Sequence, residues 1–317
     1  MNGVNSDKRG CDKMIIQTGM RTDIPAFYSK WFLNRIKEGY VCVRNPYNPK
    51  QVTKYSLSPE VVDLIAFCTK NPLPMLPFLD ALKPYGQYWF VTITPYGRNI
   101  EPNVPDKETV VEGFKELSDV VGVDSIGWRY DPIFIDKKHS VEWHISEFEK
   151  IAEILAGYTK TCVISFIDIY KKVERNFPEA KSVRAEDRAM IGKAFVKIAS
   201  KYGMVLRPCA EGEELAQYGA DCSGCMTVRT FETALHSRLE VPKRKKNQRN
   251  GECACLLGTD IGAYDTCGHL CKYCYANVNP VLVKENMRKH NPASPFLIGG
   301  HMPGDIVREA KQESWID

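Results

Sequence analysis

Three cysteines close to the C-terminus carry the strongest chemical signal in the chain. They lie in Cys267-Gly268-His269-Leu270-Cys271-Lys272-Tyr273-Cys274, a C-x3-C-x2-C spacing with an aromatic residue directly before the third thiol. Thiolates this close in sequence can ligate one metal centre without help from distant segments. An iron–sulfur cube ordinarily takes four protein ligands, so a three-cysteine loop leaves one iron open. An open coordination position is what distinguishes a catalytic metal site from a closed structural one. The alternative for the same residues is zinc, closed by His269 or by a distant cysteine as fourth ligand.

A second cysteine group lies upstream. Cys222-Ser223-Gly224-Cys225 and Cys253-Ala254-Cys255 together read C-x2-C…C-x-C, four soft ligands for a second 4Fe-4S cluster or a structural zinc, with Cys209 as a substitute for one of them. Eight of the twelve cysteines fall between Cys209 and Cys274. In a chain with no secretion signal they indicate metal ligands in a reducing, cytoplasmic setting rather than disulfides. The scattered Cys11, Cys42, Cys68 and Cys162 read as small core or near-core residues.

The loop spacing and the following Tyr273-Cys274-Tyr275-Ala276-Asn277 resemble the cluster loop of radical S-adenosylmethionine (SAM) enzymes. The loop lies about fifty residues from the end instead of early in the chain. In this respect, and in its upstream motifs, the chain resembles a radical-SAM-like family with a C-terminal cysteine cluster and no assigned activity, over roughly Met14 to the end. The resemblance implies a 4Fe-4S cluster on Cys267, Cys271 and Cys274 whose open iron chelates SAM. One electron from the cluster would cleave SAM to a 5'-deoxyadenosyl radical. It also implies oxygen sensitivity and an electron donor such as ferredoxin or flavodoxin. One position departs from the family wording: Cys68 stands where tryptophan is expected before Thr69. Gly299-Gly300 is the one glycine pair offered for a SAM motif.

The elements that must position these groups follow a rhythm. Short apolar runs at Met14–Ile16, Tyr40–Val43, Leu64–Phe67, Trp89–Ile93, Ser125–Trp128, Thr161–Phe166 and Met204–Leu206 each end in a polar cluster. Most are followed by a stretch of helical periodicity, such as Ser140 to Leu155 or Ala185 to Tyr202. Seven such units, roughly 25–40 residues apart, predict a (β/α) barrel of TIM type, complete or partial, over residues 14–210. A doubly wound open sheet is the competing arrangement. Residues 1–13 read as a flexible tail, and residues 211–317 as a cysteine-rich region packed on the barrel mouth.

In a barrel the strand-ending clusters share one rim. They would bring Arg21, Arg44, Lys70, Arg98 and Arg129 together with Asp23, Asp131, Asp168 and Glu211. Arg21, Asp23, Arg129 and Asp131 are the candidates for substrate binding or proton transfer. Arg44, Lys70 and Arg98, with Tyr273, Tyr275 and Asn277 beside the thiols, are assigned to holding the cofactor. The cationic excess suits an anionic small-molecule substrate or the SAM carboxylate, since guanidinium groups bind such oxygens bidentately. Against this stands the simpler possibility that each arginine forms a structural ion pair with a neighbouring carboxylate.

Composition sets the outer bounds. The chain has 317 residues, 44% hydrophobic and 26% charged, with a net charge of +4. It can bury a large core and has no apolar run long enough to span a bilayer. The run Lys243 to Arg249 holds five cations without interleaved aromatics, which disfavours nucleic acid as a partner. The rival function is a metal-binding protein that does not use SAM: a closed iron–sulfur electron carrier, or a zinc protein contacting nucleic acid.

Overall fold

A computed structural model describes residues 15–241 and 254–316. Its centre is an open, all-parallel seven-stranded sheet. The strands are β1 (Ile15–Gln17), β4 (Leu64–Thr69), β5 (Gly86–Thr92), β6 (Ile126–Ile133), β7 (Thr161–Phe166), β8 (Val205–Pro208) and β9 (Thr259–Asp260), in the order β8-β7-β6-β5-β4-β1-β9. Thus β1, β4 and the following strands sit side by side in sequence order, and the short β9 adds to the far side of β1. The closed barrel that seven repeating units allow is not formed. In the sheet order β8 and β9 are the two ends, unpaired to one another.

One of the seven predicted barrel strands lies elsewhere. Tyr40–Asn45 (β2) pairs antiparallel with Asn48–Ser56 (β3), and Ile306–Glu309 (β10) adds to β3 in parallel, making a separate three-stranded sheet. The physical reason is the turn Asn45-Pro46-Tyr47-Asn48. The Asn45 side chain accepts the Tyr47 and Asn48 amides, folding the chain straight back into a hairpin, which leaves no length for a crossover helix. In the main sheet β1 pairs directly with β4, and the seventh strand is β9 on the other side of β1, a two-residue strand too short to carry a periodic signal.

The helices match their end signals. α1 (Ile24–Phe27) begins where the Asp23 carboxylate accepts the Ala26 amide, and α2 (Ser29–Glu38) ends at Gly39 in the left-handed conformation. Next come α3 (Lys107–Val121), α4 (Val141–Ile154, capped by Ser140), α5 (Lys171–Asn176), α6 (Ala185–Lys201), α7 (Val228–Leu235, capped by Thr227) and α8 (Pro280–Arg288, capped by Asn279).

Strand alternation divides the sheet into two faces. Ile16, Ile65, Phe67, Trp89, Val91, Trp128, Tyr130 and Ile164 form one core with residues of α2, α3, α4 and α6. Ile15, Leu64, Ala66, Tyr88, Phe90 and Val163 face the other way. They meet Phe231 of α7, Cys225, Cys255, Leu256 and Trp315. One face is therefore a helix layer, and the opposite face is covered by the cysteine-bearing segments.

The Pro295 carbonyl accepts the Cys42 amide, and Phe296 packs on Cys42 and Val52 of the small sheet. Among the described residues no helix is long and apolar enough to cross a membrane.

Candidate metal and substrate cavity

A cavity of about 490 Å3 opens on the sheet face opposite the helix layer, toward the C-terminal ends of the strands. Open parallel sheets place their ligands at those ends, and this volume lies within the usual range for small-molecule sites, roughly 300–1,000 Å3. The floor is built by strand residues of one parity, among them Gln17, Ala66, Cys68, Phe90, Arg129 and Ser165. Cys267, Cys271 and Cys274 form part of one wall, with Tyr273 and Tyr275 between and beside them. Cys209, Cys225 and Cys255 line the same cavity.

The loop that carries the first three thiols is held from several sides. The Asn103 side chain donates to the Gly268 carbonyl at 2.8 Å, and the Asn103 amide to the His269 carbonyl at 3.2 Å. Tyr28 Oη donates to the Thr266 carbonyl at 2.7 Å, and Asn277 Nδ2 to the Cys267 carbonyl at 2.9 Å. Gly268 lies so close to Phe27 that a Cβ would meet its ring at 2.7 Å. Leu270 takes a left-handed φ of 57°, a conformation costing on the order of 1–2 kcal/mol for a residue of its type.

His269 is withdrawn from any ligand role by its partners. Its Nε2 lies 2.9 Å from Asp23 Oδ2, its Nδ1 faces the Asn103 carbonyl at 3.3 Å, and its ring packs edge-on to Phe27. Asp23 is saturated in turn. One oxygen caps α1, and the other takes both His269 and the Lys70 amide at 2.8 Å. The Asp23 carboxylate thus ties β1, β4 and the cysteine loop together.

Burial dominates the three thiols. It pushes the Cys271 thiol up to about 12 against the opposing pull of Lys70, and raises Cys267 and Cys274 above the ordinary thiol value as well. Buried thiols that resist ionisation become anionic ligands when a metal replaces the proton. Among the described residues, no three His, Cys, Asp or Glu side chains are already drawn around a single ion. A cube, whose thiolates sit on separate irons, takes sulfurs spread around a body, and the three cysteines here all line one cavity.

Behind the loop is a group that the sequence did not reveal. Glu101, 2% exposed, accepts Lys70 Nζ at 2.9 Å, Lys107 Nζ at 2.7 Å, Thr94 Oγ1 at 2.6 Å and the Tyr273 hydroxyl. Burial alone would raise its carboxyl, but Lys70 and Lys107 hold it down at about 2. Glu101 lies past the Thr94–Arg98 cluster, beyond the end of β5, and carries no local signal of this role.

Residues 15–276 match the family described as domain of unknown function DUF1848. The chain belongs to the DUF1848 family. The matched span takes in both cysteine groups and ends just past Cys274, leaving α8 and β10 outside it. No curated protein and no solved structure matches the chain.

Within this DUF1848 chain the predicted mouth separates into two sets. Asp23, Lys70, Arg129, Asp131 and Asp168 line the cavity. Arg21, Arg44, Arg98 and Glu211 do not. Arg21 clamps Asp260, bonding its carboxylate at 2.9 Å and its backbone carbonyl, so it fastens β1 to β9. Arg44 lies on the small sheet, bidentate to Asp305 at 2.5 and 2.8 Å. Arg98 forms an exposed pair with Asp106 at 2.9 Å, and Glu211 pairs with Arg188 at 2.9 Å. Arg21, Arg98 and Glu211 are each paired with a residue that does not line the cavity, and Arg44 leaves the mouth with β2, which belongs to another sheet.

The expected cationic excess thereby resolves into pairs. Even the two cavity cations have partners: Lys70 has Glu101, and Arg129 has Asp131 at 2.5 Å. Tyr275 donates to the Met20 carbonyl at 2.6 Å while lining the cavity, whereas Asn277 is turned back to support the loop. Among the second cysteine group, Cys222 is not part of the cavity lining; its thiol faces the Ala220 carbonyl at 3.9 Å. Cys209 takes the place in the wall that the spacing gave to Cys222. Cys253 and the basic run Lys243–Arg249 lie outside the described residues.

Proposed function

We propose that this chain is a radical-SAM-like iron–sulfur enzyme acting on a small molecule, its sheet wound like an incomplete barrel with the cluster loop at the strand ends. The observation that carries this reading is the loop itself. Three thiols line one cavity, Cys271 buried and Cys267 and Cys274 partly buried, and the one histidine among them is bound to Asp23, so the loop offers three ligands and no fourth. When bound there, a 4Fe-4S cluster would supply the electron that cleaves SAM to a 5'-deoxyadenosyl radical.

The chain's own residues would do the rest. Cys267, Cys271 and Cys274 hold the cluster, and Asn103, Tyr28 and Asn277 fix the backbone that presents them. Lys70, anchored by Glu101, lies on the cavity side where it offsets thiolate charge. Arg129 and Asp131, two residues apart on one strand face, are the polar pair available to orient a substrate. Because both are mutually paired, a substrate with adjacent donor and acceptor groups fits them better than a simple anion. The Tyr170 and Tyr275 rings, 6.2 Å apart, stand at the rim and help exclude water.

The test is anaerobic reconstitution followed by iron, acid-labile sulfide and 5'-deoxyadenosine analysis. Native protein should bind the cluster and release 5'-deoxyadenosine from SAM under reduction. Cys267→Ala should fold but lose both properties. Equal iron content and equal SAM turnover in that variant would overturn the proposal.

A further inference from the structure

The second trio of thiols has its own geometry. Cys225 Sγ lies 3.7 Å from Cys209 Sγ and 3.8 Å from Cys255 Sγ. A tetrahedral ion with metal–sulfur bonds of about 2.3 Å sets its sulfurs on edges of about 3.8 Å. Two of the three edges of such a triangle therefore already have that length. The three thiols are not yet closed on one point. Moving an outer cysteine between χ1 rotamers displaces its sulfur by roughly 3 Å, the kind of movement that closing the triangle on an ion would use.

The backbone around the trio is shaped for this approach. Segments 223–226 and 254–256 are joined by hydrogen bonds from the Ala254 amide to the Ser223 carbonyl at 3.1 Å and from the Leu256 amide to the Met226 carbonyl at 2.6 Å. The Met226 amide points at Cys255 Sγ at 3.5 Å, a donor suited to a metal-bound thiolate. Gly224 has a φ of 122°, and a Cβ there would stand 3.0 Å from Cys255 Sγ, so glycine admits that sulfur. Arg129 Nη1 lies 3.8 Å from Cys225 Sγ and supplies positive charge beside the group. Gln17, 2% exposed and part of the cavity floor, donates to Met226 Sδ at 3.5 Å and leaves its Oε1 without a partner among the described residues.

We propose that Cys209, Cys225 and Cys255 form a second metal site for a single borderline-soft divalent ion of the zinc class, its fourth position open to the cavity that the cysteine loop also lines. This set differs from the one that spacing suggests, since Cys209 enters and Cys222 stays out. The site would anchor a substrate through a sulfur, nitrogen or carboxylate donor, with Gln17 Oε1 beside it as an acceptor. It stands on its own thiols, whatever occupies the loop at Cys267–Cys274.

The experiment uses full-length protein carrying Cys267→Ala, Cys271→Ala and Cys274→Ala, titrated anaerobically with Co2+ alone. One equivalent should bind, with the sulfur-to-cobalt charge-transfer absorption and strong visible bands of a tetrahedral thiolate site. Adding Cys225→Ser or Cys209→Ser should weaken binding by more than about 100-fold, beyond the cost of losing an outer-shell partner. Cys222→Ser should leave it unchanged. Gly224→Ala, which keeps every ligand, should weaken it by about tenfold, and circular dichroism of each metal-free variant would separate misfolding from ligand loss. No thiolate–cobalt absorption in the folded background protein would overturn the proposal. So would a loss confined to Cys222→Ser, with Cys209→Ser unaffected.

Discussion

Glu101 and Asp23 are the two carboxylates on which the cysteine loop depends, and each can be tested by substitution. Glu101 satisfies two lysines, a threonine and a tyrosine in a nearly waterless position. Glu101→Ala strands two cations at the back of the loop, and removing one partner of a buried ion pair costs about 3–5 kcal/mol. An unfolding free energy from urea denaturation lowered by that amount is the expected result. Asp23→Ala removes the acceptor for the Lys70 amide, the Ala26 amide and His269. Its cost should be about 3 kcal/mol, with faster amide exchange at Asn103, whose partner is the His269 carbonyl. Residue types and spacing pointed to Asp23 and to the three thiols, because a polar residue after a strand and a C-x3-C-x2-C run are local signals. Glu101 carried no such signal. Its partners come from positions 70, 94, 107 and 273, and only the fold brings them together.

At the scale of elements, the short strand β9 is the join between sheet and cysteine loop. The Ile261 amide donates to the Gln17 carbonyl at 3.0 Å, and Arg21 locks Asp260 from β1's side. Gly258 precedes this strand, where a Cβ would meet the Ile15 carbonyl oxygen at 2.2 Å. Gly258→Ala therefore cannot be absorbed by a side-chain shift. It should destabilise by about 1–3 kcal/mol and detach β9, seen as lost protection of the Ile261 amide while the β4–β5 amides stay protected. Most helices could be read in advance because their caps and apolar periodicity are local. The hairpin of β2 and β3 and the pairing of β9 could not. A four-residue run such as Tyr40–Val43 looks the same in either sheet, and two residues have no period. Whether the barrel was complete or partial could not be read for the same reason: repeating units report how many strands there are, but not whether the last one returns to the first.

For the whole molecule, acid sensitivity can be assigned to a group that does not line the thiol cavity. His144 is fully buried in the helix-layer core, with Nδ1 facing Tyr130 Oη at 2.8 Å and Nε2 facing the Phe134 carbonyl at 2.8 Å. Burial lowers its pKa to about 4 from an ordinary 6.5. Between those values the unfolded chain binds the proton and the folded one does not, so stability falls as the pH drops from about 6.5 to 4. The loss from this residue is at most about 3 kcal/mol, and His144→Gln should flatten the pH dependence of the denaturation midpoint in that window.

The central claim is that the three-thiol loop holds a cluster with an iron open to SAM. Electron paramagnetic resonance of the anaerobically reconstituted, reduced Cys209→Ser/Cys225→Ser protein, with and without SAM, tests it without interference from the second trio. The account predicts a reduced-cluster signal whose g-values shift when SAM is added. A signal indifferent to SAM, or no signal from a protein that retains zinc, would contradict it.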